Sequence, residues 1–375
     1  MSEKSSYQLL SFYKFVNVAH ASQKVAAHKS FCQDIGLKWR IYIWPEGISA
    51  TVSGNTWQLW AYRQYLDQDQ DFWDITDIDS KATAVDGHCF DKMVVKYRDE
   101  IVALGKVYDA KQIADGGQRM SIDEFKQIID SHNDDYVILD MRNSYEYKLG
   151  HFKGAIPAGT INFRELDQFV DLYKEKFGKK KVVTYCTGWI RCEKATVMMR
   201  EFGLDQVYQL DGGVVKYVNS FNDWNWQGNL YTFDGRVSTE VWDKKTHTPI
   251  GRCIYTQCET NNCENCRYSE CNARILATKK EYKRHLGFCS QECMESAKQT
   301  LLVKGETFDP VDYRELRSLV KLGKISHADA LGKVSKHFDF RLTSVNFNHQ
   351  TSQKEELIDK QLLEKSYLTL SSLSS

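Results

Sequence analysis

The sequence predicts a multidomain α/β protein, with a small α+β domain, a domain on a mostly parallel sheet, a Cys-rich region and a polar tail. Three observations carry this reading. Short β-branched and aromatic runs alternate with helical spacing up to about residue 110, and strands alternate with helices over 111–223. Seven of the eleven cysteines then fall between Cys253 and Cys293. A chain of 375 residues is also too long for one ordinary core, so several domains are expected.

In region 1–110, Leu9 to Val18 reads as a strand, and Lys24 to Ile35 as a helix ended by Gly36. The dense aromatic run Trp39 to Trp44 is a strand. Pro45-Glu46-Gly47 turns the chain into a second strand, Ser49 to Ser53, before a helix over Thr56 to Leu66 and a closing strand over Lys92 to Tyr97. The order βαββαβ is the ferredoxin-like, or acylphosphatase-like, arrangement. Such sheets present an open face able to hold RNA, although a fold by itself assigns no function.

In region 111–223, Ser121 and Glu124 form a capping box for the helix near Phe125. Tyr136 to Leu139 is a short continuous apolar strand, suited to a sheet covered on both faces. A helix over Phe163 to Phe177, a strand over Lys181 to Tyr185, a helix over Glu193 to Phe202 and a strand over Val207 to Leu210 follow. This alternation implies a mostly parallel sheet. Region 224–298 has weaker periodicity and most of the cysteines, and region 299–375 reads as helices followed by a polar, Ser-rich tail.

Acidic and basic residues balance at 50 each, so no global charge draws the chain to nucleic acid. No apolar stretch reaches the ~20 residues of a membrane span, and the start lacks a signal-peptide core, so a cytoplasmic protein is expected. Cysteines there are not expected as structural disulfides. Cys32 and Cys89 read as small buried apolar residues.

The strand Lys181–Tyr185 delivers Cys186 to its carboxyl end, where ligands bind in open α/β sheets. Backbone N–H groups of the tight loop Cys186-Thr187-Gly188-Trp189-Ile190-Arg191, with the following helix, make an anion nest that favours the thiolate. Arg191 adds positive charge. Such a thiolate is a nucleophile and can carry an extra sulfur or oxygen atom. Cys192 either resolves an oxidised Cys186 or packs the helix, and both readings stay open.

Upstream lie Asp140-Met141-Arg142, Glu146, Gly150-His151 and Gly154-Ala155. These residues resemble the first rhodanese signature, and Cys186 to Arg191 resembles the active loop, with Asp140 and Arg142 in support. Four residues separate Cys186 from Arg191, as in sulfur-handling rhodanese domains, where related cysteine phosphatases have five.

The resemblance extends to the tRNA uridine hydroxylase family. Cys186-Thr187-Gly188-Trp189-Ile190-Arg191-Cys192-Glu193-Lys194-Ala195 is close to that family's Cys-Thr-Gly-Gly-Ile-Arg-Cys-Glu-Lys-Ala string. Tyr13-Lys14-Phe15, Glu46-Gly47-Ile48, Thr51-Val52, Lys96 to Gly105 and Leu210-Asp211-Gly212-Gly213 with Lys216-Tyr217 are similar too. Membership implies formation of 5-hydroxyuridine at the wobble uridine of the tRNA anticodon loop. Molecular oxygen would be co-substrate, and Cys186 the essential, persulfide-bearing cysteine. No 2-His-1-carboxylate iron set and no flavin or nicotinamide fingerprint is evident, and neither a membrane nor DNA is expected as a partner. Two residues depart from the family pattern. Trp189 replaces a Gly, which would be strained at positive φ, and either fills the pocket or offers a stacking surface. Ser49-Ala50 replaces the usual Asn-Gly.

Cys258, Cys263, Cys266, Cys271, Cys289 and Cys293 have the short spacings of metal knuckles, and one structural zinc would take four of them. Two alternatives to the hydroxylase remain: a sulfurtransferase acting through a Cys186 persulfide, and a non-catalytic tRNA-binding module.

Overall fold

The computed structural model describes residues 7–72, 82–88, 90–160, 162–233, 237–241 and 249–303, with residue 324. Cys89 and the helices expected over 310–337 lie outside the described residues. The described residues form two compact units, one from Met1–Met141 with Asn162–Tyr217, the other from Arg142–Ile161 with Val218–Ser375.

In the first unit, β1 (Tyr7–Phe15), β2 (Lys38–Trp44), β3 (Gly47–Asn55), β4 (Ala82–Val85) and β5 (Met93–Tyr97) form a sheet ordered β4-β1-β3-β2-β5. The first four give the ferredoxin-like order, all neighbours antiparallel. The closing strand expected at Lys92 to Tyr97 is instead an added fifth strand, parallel to β2. The fourth ferredoxin strand is the four-residue β4, too short and weakly patterned to stand out in sequence.

Alternate side chains of β1, β2 and β3 point to one face. Leu10, Phe12, Ile41, Ile43, Ile48, Ala50 and Val52 pack there with residues of α1 (Ala21–Asp34) and α2 (Thr56–Asp67). Cys32 joins this core, fully buried, and burial pushes its thiol up to about 12. Asn55 caps α2 through a reciprocal bond with Gln58. Gly47 is obligatory, because its φ is +153° and a Cβ would lie 2.1 Å from the Lys14 carbonyl oxygen.

The second sheet of this unit holds β6 (Gln118–Met120), β7 (Tyr136–Asp140), β8 (Lys181–Tyr185) and β9 (Val207–Leu210). They run parallel in the order β6-β9-β8-β7, as the alternation of helix and strand implies. The accompanying helices are α3 (Ile122–Asp130), α4 (Asp167–Phe177), α5 (Ile190–Glu201) and α6 (Gly213–Ser220). Ser121 accepts from the Glu124 N–H at the start of α3, so only the serine half of the expected capping box is formed. Phe163–Glu165, expected within α4, forms a separate 3-10 turn.

A buried charge cluster joins the two sheets. Lys194 of α5 is fully buried and donates to Glu46 at 3.0 Å and Glu100 at 3.0 Å. Glu46 also accepts the backbone N–H groups of Ile101 and Tyr108. Removing one partner of such a pair costs about 3–5 kcal/mol, because it strands a buried charge. The helix that follows the Cys186 loop is therefore fixed to the first sheet domain.

In the second unit, Cys263–Asn265 and Arg274–Leu276 form a hairpin, and the helix Gln291–Val303 follows. Among the described residues no helix is long and apolar enough to cross a membrane.

Candidate active site

Strand β8 is buried along most of its length and ends at Tyr185, so Cys186 emerges at the sheet's carboxyl edge. The loop is closed from the other side by the start of α6. Val214 N–H donates to the Cys186 carbonyl and Val215 N–H to that of Thr187, at 3.0 and 3.1 Å. This approach requires Gly213. A Cβ there would lie 2.5 Å from the Cys186 oxygen, and the φ of +65° disfavours other residues as well.

Cys186 and Cys192 are both fully buried. Burial by itself pushes the Cys186 thiol up. The hydrogen bond with Cys192, the charge of Arg191 and the backbone N–H groups of Arg191 and Cys192 outweigh it and bring the thiol down to about 6. Cys192 moves the opposite way, raised first by burial and then by its bond to Cys186 and that group's charge. The pair therefore holds one thiolate and one thiol.

Trp189 has φ +76° and ψ −29°, so the strain expected of a bulky residue at positive φ is present. Its indole is 5% exposed, which excludes the open stacking surface considered from the sequence. Nε1 donates to Gln209 Oε1 at 2.8 Å, the Arg119 guanidinium lies 4.2 Å from the ring, and the Tyr13 ring meets it edge-on at 6.4 Å. Gln209 also donates to the Gly117 carbonyl and, at 3.5 Å, to Glu193. Arg119 approaches Glu193 at 3.6 Å. Buried Glu193 is raised to about 7, mainly by desolvation, with Arg119 and Gln209 opposing and the Cys186 charge adding. The Tyr13 phenol is raised by burial and by the charges of Glu193, Cys186 and Cys192. The thiolate thus shares its surroundings with a carboxyl group that exchanges a proton near neutrality.

The remaining loop residues take simpler places. Thr187, Gly188 and Ile190 are half-buried, and Arg191 is buried at the first turn of α5. Asp140 ends β7 and accepts from the Tyr185 hydroxyl at 2.7 Å. Arg142 belongs to the second unit, where it donates to the Gly150 carbonyl at 2.6 Å and lies over the Trp226 ring.

Of the six candidate metal ligands, the structure brings four together. The sulfurs of Cys266, Cys271, Cys289 and Cys293 all lie within 4.8 Å of one another. Cys258 is exposed elsewhere, and Cys263 packs against Leu149, Tyr231 and Leu276. The Cys289 N–H points to Cys266 Sγ at 3.4 Å. Tetrahedral zinc with Zn–S near 2.3 Å sets sulfurs about 3.8 Å apart, and Cys271–Cys289 and Cys289–Cys293 stand at 3.7 and 3.3 Å.

Sequence reasoning did not single out Arg119, Gln209, Glu193, Glu46 or Lys194. Glu46 and Lys194 lie within the stretches that resemble the hydroxylases, but their pairing spans 148 residues and left no local signal.

Residues 7–101 match the model of the UPF0176 acylphosphatase like domain, 121–220 the Rhodanese-like domain, and 227–294 the Rhodanase C-terminal domain. Over 327 residues the chain is 36% identical to a tRNA uridine(34) hydroxylase of Bacillus licheniformis, covering 87% of this chain and 99% of that protein. It is also 36% identical over 320 residues to the tRNA uridine(34) hydroxylase of Staphylococcus saprophyticus, covering 85% and 99%. Identity to the Oceanobacillus iheyensis protein of the same name is 37% over 295 residues, covering 78% and 90%.

Backbone strain and indole packing at Trp189 pull in opposite directions. Relieving positive φ is worth about 1–2 kcal/mol, whereas deleting a buried Trp costs about 3–5 kcal/mol. Trp189→Gly, although it relieves the positive φ, should lower the unfolding free energy by about 2 kcal/mol in urea titrations. A gain in stability would mean that strain, not packing, dominates the loop.

Proposed function

Because the chain belongs to the tRNA uridine(34) hydroxylase family, we propose that it converts the wobble uridine of tRNA to 5-hydroxyuridine, using molecular oxygen and Cys186. The observation that carries this reading is the Cys186 thiol, brought down to about 6 inside a loop whose sequence resembles the family's reactive string. A thiolate at neutral pH is the form that attacks an electrophile or takes up oxygen or sulfur. Glu193, raised to about 7 and sensitive to the Cys186 charge, would serve to hold or release a proton in this reading. The Trp189 indole is packed away from the loop's open side against Gln209 and Arg119. This favours a working loop over the disabled binding module. The sulfurtransferase alternative draws on the rhodanese-like part of the chain and leaves the first domain without a role.

We assign Cys266, Cys271, Cys289 and Cys293 to one structural zinc, a closed four-thiolate site with no open position for chemistry. Zinc would tie the hairpin to the helix Gln291–Val303 in the second unit.

Two measurements test these assignments. Nucleoside mass spectrometry of tRNA from cells lacking the protein should show 5-hydroxyuridine-derived nucleosides lost, restored by wild type and not by Cys186→Ala. Unchanged nucleosides, in cells with no other enzyme making them, would defeat the hydroxylase reading, and thiosulfate-to-cyanide turnover would then point to sulfur transfer. Elemental analysis of protein purified without chelator should give about one zinc per chain, lost in Cys289→Ser. Protein free of zinc, yet folded, would contradict the metal assignment.

A further inference from the structure

The five strands of the ferredoxin-like sheet contain no Asp or Glu, in a chain with 50 acidic residues and zero net charge. Their basic residues are concentrated on the face away from α1 and α2. The register sets this out in rows. Tyr13, Ser49, Tyr42 and Lys96 are successive cross-strand neighbours, as are Ser11, Thr51, Arg40 and Val94. Lys38 continues the next row beside Ser53, and Arg98 follows β5 with its N–H on the Ile43 carbonyl.

Tyr42 is half-buried and bracketed by cations, with the Arg40 and Arg98 guanidinium carbons 5.6 and 5.1 Å from its ring. Lys96 and Arg98 are exposed. The row has a direction. Its inner end, Tyr13, meets Trp189 of the Cys186 loop edge-on. Its outer end, Lys96, lies three strand spacings away, about 14 Å.

We infer that this face, centred on Tyr42 and carrying Arg40, Lys96 and Arg98, is the docking surface for a single-stranded RNA loop whose target base is delivered past Tyr13 to Cys186. The inference rests on the tRNA reading above and extends it to a surface. A nearly flat sheet face cannot enter the deep, narrow major groove of an A-form helix, whereas splayed loop bases can stack on its aromatic rings. Phosphates of the same loop supply counter-charge to the cations on strands that carry no carboxylate of their own. Trp189 then serves the loop's packing, while Tyr42 supplies the stacking surface.

The test is fluorescence anisotropy with a labelled anticodon stem-loop RNA and the full chain, over a series of salt concentrations. Near-ultraviolet circular dichroism confirms the fold of each variant. Arg40→Ala with Arg98→Ala should weaken binding at least about tenfold and flatten the slope of log affinity against log salt by about 1.4, some 0.7 per cation removed. Tyr42→Ala should weaken binding about tenfold with little change of slope. Lys96→Glu, a change at an exposed site that the fold tolerates, should also weaken it, while Lys126→Ala on α3 should not. If the wild type binds and Tyr42→Ala, the double variant and Lys96→Glu all bind within twofold of it, the surface is wrong and the hydroxylase reading stands. If the wild type binds no RNA while cells still show its 5-hydroxyuridine, this surface is again overturned. Absence of both would overturn the surface and the hydroxylase reading together.

Discussion

A negative charge held out of water must be compensated locally, and the Cys186 loop is organised around that requirement. The sulfur is fully buried, an environment that favours the neutral thiol. Its anion is stabilised by two backbone N–H groups, the Cys192 thiol and the Arg191 charge acting together. Each of these depends on the backbone path through Trp189, whose positive φ turns the chain into α5. That path in turn depends on Gly213, whose missing side chain lets the start of α6 close on the loop. Reactivity at Cys186 is therefore a property of three segments folded together.

The same logic explains why α5 is anchored so far from its own sheet. A helix whose first turn supplies the compensating donors must not drift, because small displacements lengthen every bond to the sulfur. Lys194, one turn further on, is locked by Glu46 and Glu100 within the first unit. Glu46 precedes the obligatory Gly47, and its carboxylate also receives the segment that links the two sheets. Withdrawing Lys194 would strand a buried carboxylate, which opposes any displacement of α5 from this position. The ferredoxin-like domain is thus part of the framework of the reactive loop.

Much of this was legible in the sequence, because local chemistry leaves local marks. The Cys-to-Arg loop, the capping serine and the strand–helix alternation are short-range patterns, and each corresponds to an observed element. The fourth ferredoxin strand was not legible. Ala82–Val85 is held by pairing with β1 and has little strand character of its own. Lys194 and Glu46 escaped because their partnership exists only after both sheets have formed. Four sulfurs could be separated from six only in three dimensions, since Cys263 is three residues from Cys266 yet turns into a different apolar cluster. Trp189 is the instructive case. The sequence identified the strain, but the partners that hold its indole come from β1, β6 and β9, and no spacing rule connects them.

The most direct measurement of the central claim is the titration of Cys186 itself, followed by thiolate absorbance near 240 nm in wild type minus Cys186→Ala. Because the folded pKa is lowered, the thiolate signal should already be present at neutral pH and disappear only as pH falls through about 6. A difference signal that appears only above pH ~8, where ordinary thiols ionise, would show that the loop does not stabilise the anion and would contradict the account.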